Sequence, residues 1–220
     1  MLKGLIFDFD GLILDTETPA YQTWQNIFAG YECSLPLNLW QSSIGTAELY
    51  FDPLVYLHTI SRSALNDMEI VDVYNKLVEE LIQKEKILPG IFELIKAARK
   101  EHIKLAVASS SPISWVKKYS ISLGIHNYID CYATKDDVKR TKPEPDLYLL
   151  ALRKLGLDQK YVAAIEDSPI GVEAAKKACL FTIAIPSKLT EHLDFSAADM
   201  VVPSALTINL EQLSKLFNQQ

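Results

Sequence analysis

Six short apolar runs limit what this chain can fold into: Leu5 to Phe9, Leu105 to Ala108, Tyr128 to Ala133, Val162 to Ile165, Thr182 to Ile185 and Met200 to Val202. They are β-branched or aromatic and apolar on both faces. Such runs read as buried parallel strands, because a strand covered on both sides carries no polar alternation. Between the later runs lie helix-period segments, Ile113 to Leu123, Asp146 to Leu155 and Gly171 to Ala178. Their spacing is close to the ~30 residues of a right-handed βαβ unit. The expected fold class is α/β, a doubly wound parallel sheet with a Rossmann-like core.

The stretch from Asp15 to Glu85 breaks this rhythm. Tyr21 to Phe28, Leu49 to Leu57 and Asp67 to Lys84 look helical, and no convincing strand lies among them. An inserted module is the simplest reading. Leu88-Pro89-Gly90 marks the return to the core, since Pro and Gly punctuate elements, and Ile91 to Lys100 restores a core helix. The expected domains are an α/β catalytic core over residues 1–14 and 86–220 and a small α-helical cap over residues 15–85.

Composition excludes several function classes. With 220 residues, 49% apolar and 23% charged, the chain has the make-up of an ordinary globular protein. A net charge of −6 argues against a nucleic-acid partner, which needs a basic surface. Leu2 to Leu14 is interrupted by Asp8 and Asp10, so it does not read as a signal peptide, and no run of 18 or more apolar residues predicts a membrane span. Cys33, Cys131 and Cys179 are far apart and are expected to be reduced, mostly buried thiols, which points to the cytoplasm. The four histidines have no metal-ligand spacing, so no zinc is expected.

Ligands of open α/β sheets bind outside the carboxyl ends of the strands, so chemistry is sought where each apolar run stops. The first stops in Asp8-Phe9-Asp10-Gly11; residues two apart on an extended chain face the same side, and Gly11 permits a sharp turn. The second stops in Ser109-Ser110-Ser111-Pro112. Ser111 and Pro112 suit a helix start, which leaves the Ser109 hydroxyl for a phosphate oxygen. After the third, Lys142 is flanked by Pro143 and Pro145, which stiffen the backbone beside it. The fourth stops in Glu166-Asp167-Ser168, where Asp167 or Ser168 could equally cap a helix. Gathered into one crevice, Asp8, Asp10, Glu166 and Asp167 would repel strongly, by about 4 kcal/mol per pair at ~4 Å and an effective dielectric of ~20. One lysine cannot offset four acids, whereas Mg²⁺ binds through carboxylates, waters and substrate phosphate.

Taken in order, Asp8-x-Asp10-Gly11-x-x-x-Asp15, Ser109, Lys142-Pro143 and Glu166-Asp167 resemble the four signature motifs of the haloacid dehalogenase superfamily, over residues 8 to about 171. The insert resembles that family's helical cap, in the branch of β-phosphoglucomutase and phosphoglycolate-type phosphatases. The resemblance implies that Asp8 is the nucleophile that becomes an aspartyl-phosphate and Asp10 the general acid and base. It implies that Ser109 and Lys142 hold phosphoryl oxygens, and that Asp8, the Asp10 backbone carbonyl and Asp167 bind Mg²⁺, with Glu166 a direct or water-mediated ligand. Asp15 would belong to the cap hinge.

The implied function is a Mg-dependent phosphatase acting on a small phosphorylated metabolite. Dehalogenases and phosphonate-cleaving members lack the second aspartate, so Asp10 favours phosphoester chemistry. The alternative is a β-phosphoglucomutase-type phosphomutase. Those enzymes place a histidine about five residues after the Asp15 position and an arginine in the first cap loop, where this chain has Ala20 and Glu48. An acid at Glu48 would repel a second phosphate, which favours hydrolysis. A signalling receiver would use similar groups but be about half the length, and a non-catalytic binding protein need not keep every catalytic side chain. Of the cap aromatics Tyr21, Trp24, Phe28, Trp40, Tyr50, Phe51 and Tyr56, most are expected to form the cap's own core, with Tyr21 or Trp24 facing the crevice.

Overall fold

The computed structural model of the chain describes residues 1–46 and 51–219. In chain order its elements are β1 (Gly4–Phe7), α1 (Glu17–Gly30), α2 (Leu37–Gln41), α3 (Pro53–Ile60), α4 (Asp67–Ile82), α5 (Ile91–Lys100) and β2 (Lys104–Ser109). There follow α6 (Ile113–Ser122), β3 (Cys131–Thr134), α7 (Asp146–Leu155), β4 (Val162–Glu166), α8 (Pro169–Lys177), β5 (Phe181–Ala184), β6 (Met200–Val201) and α9 (Leu210–Gln219). The strands form a six-stranded parallel sheet in the order β3-β2-β1-β4-β5-β6, the doubly wound arrangement expected.

Both faces of the sheet are covered, which is why the strands show no alternation in sequence. Leu5, Phe7, Leu105, Val107 and Ile165 pack beneath α5, α6 and α9. Ile6, Ala106, Ala108 and Ala164 meet Leu147, Tyr148 and Ala151 of α7 and Ala174 and Ala175 of α8 on the other side. Small residues on that second face let α7 and α8 lie close to the strands.

Two expected strands end differently. β1 stops at Phe7, because Gly11 at φ +83° turns the chain back and the Gly11 amide bonds to the Leu14 carbonyl at 2.8 Å. Phe9 is still fully buried, but in the turn. The run from Tyr128 begins with a 3-10 turn, His126–Tyr128, and β3 starts only at Cys131. Asp130 between them accepts the Leu105 amide at 2.7 Å and pairs with Arg99, which a continuous strand would not allow.

Between Asp15 and Glu85 the described regular elements are helices, including α2, which periodicity did not reveal. The expected helix from Leu49 is seen as α3, with Asp52 capping its first turn and Pro53 at its first position; residues 47–50, Glu48 and Tyr50 among them, lie outside the described residues. Tyr21, Trp24, Phe28, Leu57 and Ile70 form a core of their own. The two connections to this segment run side by side, the Leu88 amide bonding to the Ile13 carbonyl at 3.0 Å. Cys179 is exposed and Cys33 and Cys131 are half-buried, which corrects the expectation of mostly buried thiols. No described helix is long and apolar enough to cross a membrane.

Candidate active site

The strand order reverses about β1, which has β2 on one side and β4 on the other. A crevice therefore opens above their carboxyl ends. Asp8 follows β1, Glu166 ends β4 and Asp167 follows it, while Lys142 reaches in from the loop between β3 and α7, where the Lys142–Pro143 peptide is cis. The Lys142 ammonium, fully buried, pairs with Asp8 and with Glu166, the latter at 2.7 Å. Glu166 also accepts from the Tyr148 hydroxyl and from the Asp167 amide at 3.2 Å. Gly171 sits against it: any side chain there would collide with the Glu166 carboxylate.

Asp167 differs from its neighbours. Both of its carboxylate oxygens are buried and have no hydrogen-bond partner. An unpaired buried carboxylate is costly, so two free oxygens in this position suit a bound cation. One oxygen each from Asp8, Glu166 and Asp167 lies within 4.8 Å of the others, so this cluster can hold a metal ion. Burial pushes the Asp8 carboxyl up to about 8, against the pull of Lys142. Burial also raises Asp167 well above the ordinary carboxylate range, with Asp8 and Glu166 adding to the effect. Lys142 is nevertheless held charged: burial opposes its ammonium, but Asp8 and Glu166 outweigh that. Hard oxygen donors with a charge deficit of this kind fit Mg²⁺.

Asp10 projects from the same turn but binds elsewhere. Its carboxylate accepts from Ser111 Oγ at 2.7 Å, Trp115 Nε1 at 2.9 Å, Thr16 Oγ1 at 3.1 Å and Ser109 Oγ at 3.2 Å. Ser109, fully buried, thus spends its hydroxyl on Asp10 in this state while accepting the Ser111 amide at 3.0 Å. The expectation that Ser111 caps the next helix is corrected: α6 starts at Ile113 without a side-chain cap from its own start, and the Ile113 amide bonds to Asp136 at 2.7 Å. Ser168 does cap α8, accepting the Gly171 amide at 3.1 Å, so Asp167 is left for the crevice. Asp15 accepts the Thr18 amide at 3.0 Å and tightens the first turn of α1.

Over these groups lies a crevice of about 420 Å³ with Asp8 and Asp10 at its base and Glu17, Ala20, Trp40, Phe51 and Tyr74 on the cap side. Tyr21 and Trp24 do not line it. The Tyr21 hydroxyl donates to the Leu35 carbonyl at 3.0 Å, and Trp24 stacks on Tyr74 with centroids 4.8 Å apart. A larger groove of about 1040 Å³ along α7 contains none of the buried acids.

Thr16, Glu17, Trp115 and Tyr148 are site residues that sequence reasoning missed. Tyr148 looked like one more apolar position of α7, and its hydroxyl was the only signal. Glu17 carries a perturbed carboxyl: burial, then Asp10, Asp8 and Asp15, push it from 4.5 up to about 8. The native state therefore holds more protons than the unfolded chain in that window, and the contribution of Glu17 to stability is complete at low pH and lost as pH rises from about 4.5 to about 8. The stability difference between wild type and Glu17→Gln is expected to fall over that range in urea unfolding with chelator present. A flat difference would remove the assignment.

A profile described as haloacid dehalogenase-like hydrolase matches residues 5–185. The "Putative phosphatase YhcW" of Bacillus subtilis is 38% identical over 220 residues, covering 100% of both chains. The β-phosphoglucomutase of the same organism is 27% identical over 226 residues, covering 99% of this chain and 96% of its own. The crystal structure of CbbY from Rhodobacter sphaeroides in complex with phosphate superposes with a TM-score of 0.77 at 26% identity, covering 97% of this chain and 100% of that one. With the sheet order, the acid cluster and the buried lysine described above, these matches make the chain a member of the haloacid dehalogenase-like hydrolases, an enzyme that acts on phosphate esters.

Proposed function

We propose that this chain is a Mg²⁺-dependent phosphatase that hydrolyses a small phosphomonoester through an aspartyl-phosphate on Asp8. The observation that carries this reading is Asp8 paired with a buried Lys142 beside Asp167, whose two buried oxygens have no protein partner. Asp8, Asp167 and the Asp10 backbone carbonyl would hold Mg²⁺; Glu166, already bonded to Lys142, Tyr148 and the Asp167 amide, suits a water-mediated contact. Bound there, the ion neutralises carboxylates and phosphate and so permits an anionic nucleophile to approach an anionic ester.

An Asp8 carboxylate oxygen attacks phosphorus as the bond to the ester oxygen breaks. The Lys142 ammonium holds a phosphoryl oxygen, and Ser109 exchanges Asp10 for another. Asp10 protonates the leaving alkoxide, then takes a proton from the water that cleaves the acyl phosphate, which restores Asp8 and releases inorganic phosphate. Residues 15–85 act as a lid with Asp15 at its hinge. Its contacts with the core include Ser110 Oγ to the Gly45 carbonyl at 3.2 Å and Lys118 to Glu79 at 2.6 Å. A cytosolic enzyme without a membrane or nucleic-acid partner fits this chemistry.

A mutase reading has one relative in its favour, the β-phosphoglucomutase named above. Against it, Ala20 lines the crevice and offers no proton-transfer group. Phosphate release from an aryl phosphate and from a set of metabolite phosphates is expected with Mg²⁺ and to vanish with chelator. Interconversion of sugar phosphates without release, in the presence of a bisphosphate, would establish the mutase instead.

A further inference from the structure

The hydroxyl of Tyr148 has no part in the reaction above, yet it reaches from α7 into the pairings that the reaction uses. Glu166 Oε1 accepts from the Lys142 ammonium, at 2.7 Å, and from the Tyr148 hydroxyl, while Glu166 Oε2 accepts the Asp167 amide at 3.2 Å. Lys142, Tyr148 and Glu166 are all fully buried. Gly171 closes a further side, since even a methyl group there would collide with the Glu166 carboxylate. Both oxygens of Glu166 are therefore bonded, and the group has little room to turn.

An ammonium has three N–H groups. Those of Lys142 meet Asp8 and Glu166 and, among the described residues, no third acceptor. Two fixed acceptors on a tetrahedral nitrogen set the direction of its third N–H, so the place of Glu166 Oε1 decides where that N–H points. As charge gathers on the phosphoryl oxygens, they compete with Glu166 for the ammonium, and Lys142 alone is then a poor anchor for its own acceptor. Tyr148 does not line the crevice and is not drawn away in the same manner. Its ring also lies beside the ammonium, with the centroid 5.3 Å from Lys142 Nζ, so one side chain touches both members of the pair.

We propose that Tyr148 is a positioning residue: its hydroxyl pins Glu166 Oε1, and Glu166 in turn aims the third N–H of Lys142 at the charge that develops on the transferring phosphoryl group. This rests on the phosphatase reading of Asp8 and Lys142. A donor held in place before the reaction stabilises that charge without reorganising, and a donor that wanders loses most of the benefit.

Tyr148→Phe isolates the hydroxyl, because phenylalanine keeps the ring beside the ammonium. The kcat is expected to fall about 10- to 100-fold, the range for outer partners of a site, while KM stays within about threefold, since the aim of Lys142 matters most in the transition state. Titration calorimetry with Mg²⁺ gives a second readout without turnover. Orthovanadate, which adopts the five-coordinate geometry of the transferring group, should bind the variant about tenfold or more weakly, and inorganic phosphate within about threefold of wild type. In a Glu166→Ala background the same substitution should change orthovanadate affinity by less than about twofold, because Tyr148 then has nothing to act through. A packing defect would weaken both anions alike and would persist without Glu166. The inference is overturned if kcat falls less than about threefold, if both anions lose affinity equally, if the loss persists in Glu166→Ala, or if Mg²⁺ affinity falls as far as kcat, which would make Tyr148 a support of the ion instead of the lysine. Should orthovanadate show the loss while the wild type releases no phosphate from any ester, the inference stands and the phosphatase reading falls. Phosphate release that is indifferent to Tyr148→Phe leaves the reading and removes the inference.

Discussion

Asp8→Asn is expected to lower phosphate release by on the order of 10⁴-fold or more at saturating substrate, the scale seen when a covalent nucleophile is removed. An amide has the volume of the carboxylate but no lone pair basic enough to attack phosphorus. The substitution should not unfold the protein, because it removes one negative charge from a cluster in which burial already drives Asp8 up to about 8. Two measurements separate the nucleophile from a mere metal ligand. The first is kcat with Mg²⁺. The second is trapping of a hydroxylamine-sensitive phosphoenzyme during turnover, expected in wild type and lost in the variant. A residual rate within tenfold of wild type would end the case for Asp8.

Lys142→Met is expected to have the largest effect on stability. The ammonium is fully buried and pairs with both Asp8 and Glu166. Without it, at least one carboxylate stays buried with no counter-charge, and breaking buried pairs in this way costs about 3–5 kcal/mol. Methionine has nearly the same length, so cavity formation contributes little. The loss should be nearly flat from pH 5 to about 7 in chelator and grow above pH 8. The Asp8 carboxyl, held at about 8 with Lys142 beside it, is protonated over the lower range in both proteins, whereas above pH 8 the wild type can ionise it next to the ammonium and the variant has nothing to lower its pKa. Added Mg²⁺ should recover part of the stability if the acid cluster holds it. Urea unfolding with and without Mg²⁺ measures both, and a loss below about 1 kcal/mol would show that the pair matters little for folding. Exposed lysines that pair across the surface, such as Lys118 with Glu79, should matter far less when replaced.

The doubly wound sheet was legible in sequence because it follows from a local property. A strand buried on both faces must be apolar throughout, and the strands and helices of the second half recur at βαβ spacing. That Asp8, Ser109 and the Glu166-Asp167 pair come together was legible for a related reason, since each sits where an apolar run stops and the topology sends such ends to one edge; Lys142 joins them from the loop between β3 and α7. Element ends were less legible: Phe9 is as apolar as Phe7, and only the Gly11 turn, closed by the Gly11 amide on the Leu14 carbonyl, takes it out of β1.

What the sequence determined by itself was therefore the layer architecture and the set of groups at the strand ends, both functions of residue type at short range. Tertiary structure decided which groups meet. Ser111, 101 residues from Asp10, binds it instead of capping a helix, and Trp115 joins from the first turn of α6. Tyr148, one of several buried positions on α7, lands on Glu166. Trp40 and Tyr74 line the crevice in place of Tyr21 and Trp24, although nothing local in the sequence sets these four aromatics of the insert apart. Periodicity says that a side chain is buried. Which neighbour it meets depends on how helices from distant parts of the chain pack, and no local pattern encodes that.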